Sequence, residues 1–277
     1  MTLFDEDADH ETNGPPGPFV RVRLTIAYDG TNFRGLAPNL GVRTVVSELV
    51  RVLSPLLGHA PDLVMSGRTD AGVHAAEQVL SFDVRADMVE SGKVQMRGIS
   101  NVINRRLGPE VVATDVRIAE PGFSARYDAI GRRYQYKVVN QPVADPFTAR
   151  SAWWVPQPLN IALMQLACDP FLGMHDFSSF CKRPKTGPGE EPISLVRRIH
   201  EAKWTDLGDG RLVFDIAGSA FCHQMVRSIV GFHVSVGRGK RSAGEVRGVL
   251  EARDRQPAEP AAPPHGLTLV QVIYPSA

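Results

Sequence analysis

The run Ser66-Gly67-Arg68-Thr69-Asp70-Ala71-Gly72-Val73-His74 sets one carboxylate between two glycines, with a guanidinium two positions before it. Gly67 and Gly72 carry no Cβ, so the backbone there can turn through conformations closed to other residues and let a ligand approach closely. A guanidinium near a carboxylate favours its ionised form, and an ionised oxygen in such a loop suits a nucleophile or a base. A surface turn holding an Arg-Asp pair has the same composition, so other segments must decide between the two readings.

Two of those segments carry cations in unusual settings. Arg132-Arg133-Tyr134-Gln135-Tyr136 puts aromatic rings beside cations on an alternating run, which can stack on a base and hold its phosphate; a core tyrosine on a strand gives the same pattern. The stretch Gly218 to Gly231 places Arg227 in the middle of a strongly apolar helix. A long cation there reaches for a buried anion, because an unpaired charge in apolar surroundings is costly; snorkelling to solvent is the competing reading. His223 reads as a structural hydrogen-bonding residue, and His175-Asp176-Phe177-Ser178-Ser179-Phe180 as packing and capping at a cleft wall.

The elements that must position these residues follow from periodicity. Val20, Val22, Leu24, Ile26 and Tyr28 alternate with Arg21, Arg23, Thr25 and Ala27, predicting a half-buried strand closed by the Asp29-Gly30 turn. Thr44 caps a helix with Val45, Val46, Leu49, Val50 and Leu53 on one face and Pro55 stopping or kinking it. Strands follow near 62–66 and 77–84, a helix near 94–106 and a strand near 110–118. The second half repeats the order: a strand through Tyr134, Tyr136 and Val138, a helix near 159–168, strands near 193–204 and 211–217, a helix near 219–236, a short helix from Ser242 with Glu245 as its capping box, and a closing strand over 267–274. Strand, helix, strand, strand, helix, strand is the ferredoxin-like unit, so an α+β fold of two such halves is expected. The boundaries predicted are a disordered acidic tail over 1–18, an N-terminal half over 19–119 and a C-terminal half over 120–277. An exposed loop is predicted over 183–192, and an irregular proline-rich connection over 257–264. A cleft between the halves would accept a polymer.

Composition narrows the function classes. The 277 residues are 43% hydrophobic and 22% charged, the profile of a globular protein, with no apolar run long enough to span a bilayer and no signal-peptide pattern at the N-terminus. A cytoplasmic location is expected. The net charge of +1 conceals an uneven distribution: five acids and no Lys or Arg lie in residues 1–18, leaving +6 on the rest. That balance permits a nucleic-acid partner. Cys168, Cys181 and Cys222 are odd in number and lack CxxC spacing, which predicts neither a disulfide framework nor a zinc site.

Taken in order, YDGTNF at 28–33, SGRTDAGVHA at 66–75, FSARYDAIGRRYQYKV at 123–138, HDFSSF at 175–180, FCHQMVRSIVG at 221–231 and GLTLVQVIYP at 266–275 resemble the tRNA pseudouridine synthase A family. The resemblance covers about Val20 to Pro275. It implies the pseudouridine synthase fold, two ferredoxin-like halves with antiparallel or mixed sheets around a central active-site cleft. It implies that Asp70 is the catalytic carboxylate and that Arg68 helps displace the target nucleotide. Tyr134 would contact the uracil, Arg227 would pair with the aspartate, and Leu267 would line the uracil pocket. A homodimer acting on uridines of the tRNA anticodon stem and loop is implied, with no cofactor, metal or membrane.

That residue set matches the chemistry. Isomerising uridine breaks the bond from ribose C1′ to uracil N1, turns the bound base and joins C1′ to C5, so one ionised carboxylate suffices: attack at C1′, attack at C6 or removal of a ribose proton each needs only that group. A base inside folded RNA must first be extruded into a pocket with aromatic and apolar walls. A glycoside or nucleoside hydrolase normally recruits a second carboxylate, and none lies in the matched segments. A noncatalytic RNA-binding relative has no need of Asp70 with Arg227. A phosphate-loop reading of Gly237-Arg238-Gly239-Lys240-Arg241-Ser242 fails because Arg follows Lys240 and the string leaves a helix; a basic RNA-facing loop fits better. The chain departs from the family at Gly35-Leu36-Ala37-Pro38-Asn39, where relatives carry a Gly-Trp-Gln type segment. Either the loop meets RNA differently or the tryptophan serves packing that Leu36 replaces.

Overall fold

The computed structural model describes residues 18–183, 193–255 and 260–275. The predicted tail, save its last residue, most of the predicted 183–192 loop and part of the 257–264 connection lie outside them.

The alternation from Phe19 produces β1 (Phe19–Tyr28), whose Val22, Leu24 and Ile26 are fully buried. Thr44 caps α1 (Val45–Leu57): its hydroxyl accepts from the Ser47 amide while Ser47 Oγ accepts from the Thr44 amide. Pro55 does not end this helix. It lies in the last turn, where few further bonds are forfeited, and the helix stops at Gly58 in the left-handed conformation with φ 76°. The rest of the first half comprises β2 (Val64–Met65), β3 (His74–Arg85), α2 (Ala86–Glu90), α3 (Met96–Leu107) and β4 (Val111–Ile118). The second comprises β5 (Gly131–Val139), β6 (Trp153–Trp154), α4 (Ile161–Leu166), β7 (Gly173–Asp176), β8 (Val196–Asp206), β9 (Arg211–Gly218), α5 (Met225–Gly237), α6 (Glu245–Ala252) and β10 (Leu267–Ile273).

The strands form one mixed sheet in the order β4-β1-β3-β10-β5-β9-β8-β7, with β2 on β3 and β6 on β5. The ferredoxin-like order of strands four, one, three, two can be read twice along it, as β4-β1-β3-β2 and as β10-β5-β9-β8. The C-terminal strand joins the two: β10 pairs antiparallel with β5 and parallel with β3 through Thr268–His74 and Leu269–Ala75. Two apolar cores flank this seam. One gathers β1, β3, α1 and α3 around Leu24, Leu49, Phe82 and Ile103; the other gathers Tyr136, Phe171, Phe180, Phe214 and Phe232 against α5. Leu269 and Val272 of β10 join the first core and Leu267 the second, so the last strand fixes one core against the other.

Several local expectations change. Residues 219–224 are not helical: Gln224 takes a left-handed conformation with φ 64°, and α5 starts at Met225. Arg227 is therefore in the first turn of α5, not its middle, and it is the one residue of that helix that is not buried. The Glu245 side chain does reach back to the Ser242 amide at 2.7 Å, although α6 begins only at Glu245. The HDFSSF run packs and caps as expected: Phe177 and Phe180 are fully buried, and Asp176 accepts from the Ser178 amide at 2.9 Å. Against the expectation of no disulfide, Cys181 and Cys222 form one, with Cα atoms 5.8 Å apart. Forty-one residues separate them, and only the fold brings the turn after Phe180 beside the segment leading into α5. Cys168 is free and buried.

Candidate active site

Asp70 sits on the loop between β2 and β3, and almost every peptide of that loop is tied down. The Ser66 amide donates to Val79 O at 3.0 Å, and Gln78 Nε2 donates to Gly67 O at 2.9 Å. The Leu36 amide donates to Thr69 O at 3.3 Å, and the Tyr28 and Thr69 hydroxyls share a hydrogen bond at 2.7 Å. Gly72 turns the chain with φ 79° and donates to Phe33 O at 3.3 Å. The YDGTNF motif thus acts as a brace. Gly30 is held so close that a Cβ there would meet Val73 O at 2.0 Å, which explains a glycine at this position. The Gly30 amide also lies 3.0 Å from His74 Nδ1, which is 3.1 Å from Asp29 Oδ1, while His74 Nε2 faces the Arg150 and His265 carbonyls, each at 3.0 Å.

The braced carboxylate meets α5. Arg227 donates from one terminal nitrogen to Asp70 Oδ2 at 2.7 Å and from Nε to Ala262 O at 2.8 Å, so the fork is held at both ends. The Ala262 amide returns a bond to Arg227 O at 2.9 Å. The two side chains are 14% and 22% exposed, a setting in which charge is only partly screened. The sequence expectation that Arg227 seeks an anion is met by the partner it was paired with.

His223, expected to be a structural hydrogen-bonding residue, sets its Nε2 3.4 Å from Asp70 Oδ1, on the carboxylate oxygen that Arg227 leaves free, with 49% of its side chain exposed. Burial lowers its pKa below the ordinary imidazole value; the Asp70 charge opposes that shift, while Lys182, Arg255 and Arg227 add to it. A sequence signal for His223 existed in its spacing of four from Arg227, but the break at Gln224 takes the pair off one helix, and only coordinates show both reaching Asp70.

Tyr134 lies on β5 opposite Leu269 of β10 and Ile216 of β9, with its ring edge-on to Phe221 at 5.1 Å between centroids. Burial pushes its hydroxyl up to about 12; Arg132 pulls the other way, and the Asp70 carboxylate adds to the rise. Asp70 and Tyr134 are thus within electrostatic reach of each other. Leu267 is 6% exposed and packs in the same core as Tyr136. Arg68 is exposed on the Asp70 loop.

The cations flanking Tyr134 do not stand ready for phosphate. Arg132 points inward and clamps the site, donating to Ser66 O at 2.6 Å and Ser219 O at 3.0 Å, so it ties the Asp70 loop to the turn before α5. Sequence reading missed this positioning role because carbonyl partners leave no residue signature. Arg133 pairs with Glu201 at 2.8 Å. In the 237–242 loop, Arg241 pairs with Glu245 at 3.0 Å and Arg238 lies over the Trp153 ring. Leu36 is fully buried in the first core, which places it among packing positions. Among the described residues no group of three His, Cys, Asp or Glu side chains is placed to hold a metal ion, and no helix is long and apolar enough to cross a membrane.

Two ferredoxin-like units fused through a C-terminal strand, with a carboxylate braced at the seam, make up the pseudouridine synthase fold. The family model described as tRNA pseudouridine synthase matches residues 167–275. tRNA pseudouridine synthase A of Corynebacterium glutamicum is 40% identical over 270 residues, covering 93% of this chain and 90% of the relative. The Bacillus subtilis and Fervidobacterium nodosum proteins of the same name are 38% and 36% identical; each alignment covers 92% of this chain and 99% of the relative. The chain belongs to the tRNA pseudouridine synthase A family.

Proposed function

We propose that this protein isomerises uridine to pseudouridine in the anticodon stem and loop of tRNA, with Asp70 as the catalytic carboxylate. The observation that carries the reading is the 2.7 Å pair between Asp70 and Arg227, two residues 157 positions apart and joined at the seam of the sheet. A partly buried carboxylate with one oxygen paired to Arg227 and the other beside a half-exposed imidazole suits attack on, or proton removal from, an extruded nucleotide. Tyr134 and Leu267 supply the aromatic and apolar walls that grip the uracil, and Arg68 displaces the nucleotide from the RNA stack. In the overall reaction N1 is freed from C1′, C1′ joins C5, the C5 proton leaves to solvent and N1 takes a proton from solvent. The same proposal includes a homodimer, a cytoplasmic location and the division of the chain into halves at 19–119 and 120–277.

The test is tRNA labelled with tritium at uracil C5. Synthase activity releases tritium with no free base, hydrolysis liberates uracil, and a binding relative does neither. Asp70→Asn should abolish release while tRNA binding persists; retained turnover would falsify the role of Asp70.

A further inference from the structure

The Asp70 carboxylate is held on only one oxygen by the pair described above, and the second oxygen faces His223. The backbone carrying His223 is fixed on every side. Cys222 before it is bridged to Cys181, and the His223 carbonyl accepts from the Lys182 amide at 2.9 Å. Gln224 after it adopts φ 64°, a left-handed conformation that a non-glycine residue occupies at a cost, and its side chain accepts from Arg255 at 2.7 Å. The same Gln224 starts α5, and thereby aims Arg227, whose helix is otherwise buried, at the other oxygen. A single strained turn therefore delivers two side chains to the two oxygens of one carboxylate from opposite ends.

We propose that His223 is a positioning residue for the isomerisation, fixing the rotation of the Asp70 carboxylate through Oδ1 in its neutral form and capping that oxygen when protonated. This rests on the assignment of Asp70 as the catalytic group. A carboxylate held by Arg227 alone rotates about its Cβ–Cγ bond and spends time with the reacting oxygen turned away; the His223 ring, with Nε2 3.4 Å from the second oxygen, restricts that rotation by its contact. Neutral imidazole makes a weak bond that an incoming nucleotide can displace. Protonated imidazole makes a charged pair that must be broken before Oδ1 can react. The groups facing His223 are Asp70 from its loop, Lys182 from the turn after Phe180, Arg227 from α5 and Arg255 beyond α6. Three of these four are cations, and with partial burial they lower the ring's pKa against the opposing pull of Asp70.

The experiment uses the full-length protein and steady-state tritium release from C5-labelled tRNA across the acid range. Wild type should lose rate with an acid limb that lies below the ordinary imidazole value of 6.5. That limb should appear in kcat, not in KM, because capping Oδ1 blocks the reaction after binding. His223→Gln keeps an N–H donor without a titrating ring, so it should retain near wild-type kcat at neutral pH and move the acid limb to lower pH. His223→Ala should lower kcat about tenfold with KM unchanged, the scale of a misaligned reacting group. Inactive wild type would refute the proposed function itself. Active wild type whose acid limb is not moved in His223→Gln, or full kcat in His223→Ala, would overturn the positioning role and leave the assignment of Asp70 standing.

Discussion

Replacing Arg227 by Ala removes two bonds at once: the 2.7 Å contact to Asp70 and the 2.8 Å contact to the Ala262 carbonyl. With charge centres about 4 Å apart and an effective dielectric of about 20, the gross attraction is roughly 4 kcal/mol. Desolvation of the two groups offsets part of that, because neither side chain is more than 22% exposed, and about 2 kcal/mol of net coupling remains. A double-mutant cycle isolates the pair. Asp70→Asn removes the charge and leaves Arg227 its carbonyl partner; Arg227→Ala leaves Asp70 without a counter-charge; the double variant removes both. Urea unfolding followed by tryptophan fluorescence and by far-UV circular dichroism supplies the free energies, provided the two transitions coincide. The single variant Arg227→Ala should be the least stable of the four proteins, and the double variant should recover much of the loss. Arg227→Lys should not rescue it, since one ammonium cannot span both acceptors as the guanidinium fork does. A coupling energy under about 0.5 kcal/mol, the range for independent sites, would refute the ion pair as an organising contact.

Two further predictions follow from backbone and core. Gly72→Ala places a Cβ 3.1 Å from Pro264 Cγ at φ 79°, so it should cost about 1–2 kcal/mol and depress tRNA isomerisation through the shifted Asp70 loop; an unchanged unfolding midpoint would count against the brace. His233 is fully buried, accepting from Trp204 Nε1 at 3.0 Å, and burial pulls its pKa down to about 3. Its contribution to stability is therefore complete above 6.5, where the unfolded ring is also neutral. It is lost as pH falls from 6.5 towards about 3, with a slope of up to about 1.4 kcal/mol per pH unit. In His233→Gln that slope should flatten, and parallel pH–stability curves for the two proteins would contradict the buried neutral ring.

Much of the site was legible because the chemistry demands residue types that are rare in those settings. Arg227 inside an apolar run called for an anion, the family resemblance pointed to Asp70, and the two meet at 2.7 Å. The alternation of β1 and β5 and the cap at Thr44 were also legible, since side-chain period and capping are local. What could not be read were features without a local period. β6 and β7 are two and four residues long, and the break at Gln224 comes from a left-handed residue that no glycine announces. Arg132 looked like a phosphate ligand because its partners, two backbone carbonyls, are invisible in a sequence. The Cys181–Cys222 bridge was missed for a related reason: spacing says nothing about two residues that meet only after the sheet has formed.

By itself, the amino-acid order determined most of the longer strands and helices, the ferredoxin-like repeat and which side chains have chemistry to offer, because these depend on periodicity and residue type within a few turns of chain. Tertiary structure alone decided where those side chains end. Insertion of β10 between β3 and β5 makes one sheet of two units, and the strained entry to α5 sends His223 and Arg227 to different oxygens of Asp70. The physical reason is that a carboxylate is oriented by contacts from distant segments, whose directions are set by how the two cores pack across a shared strand.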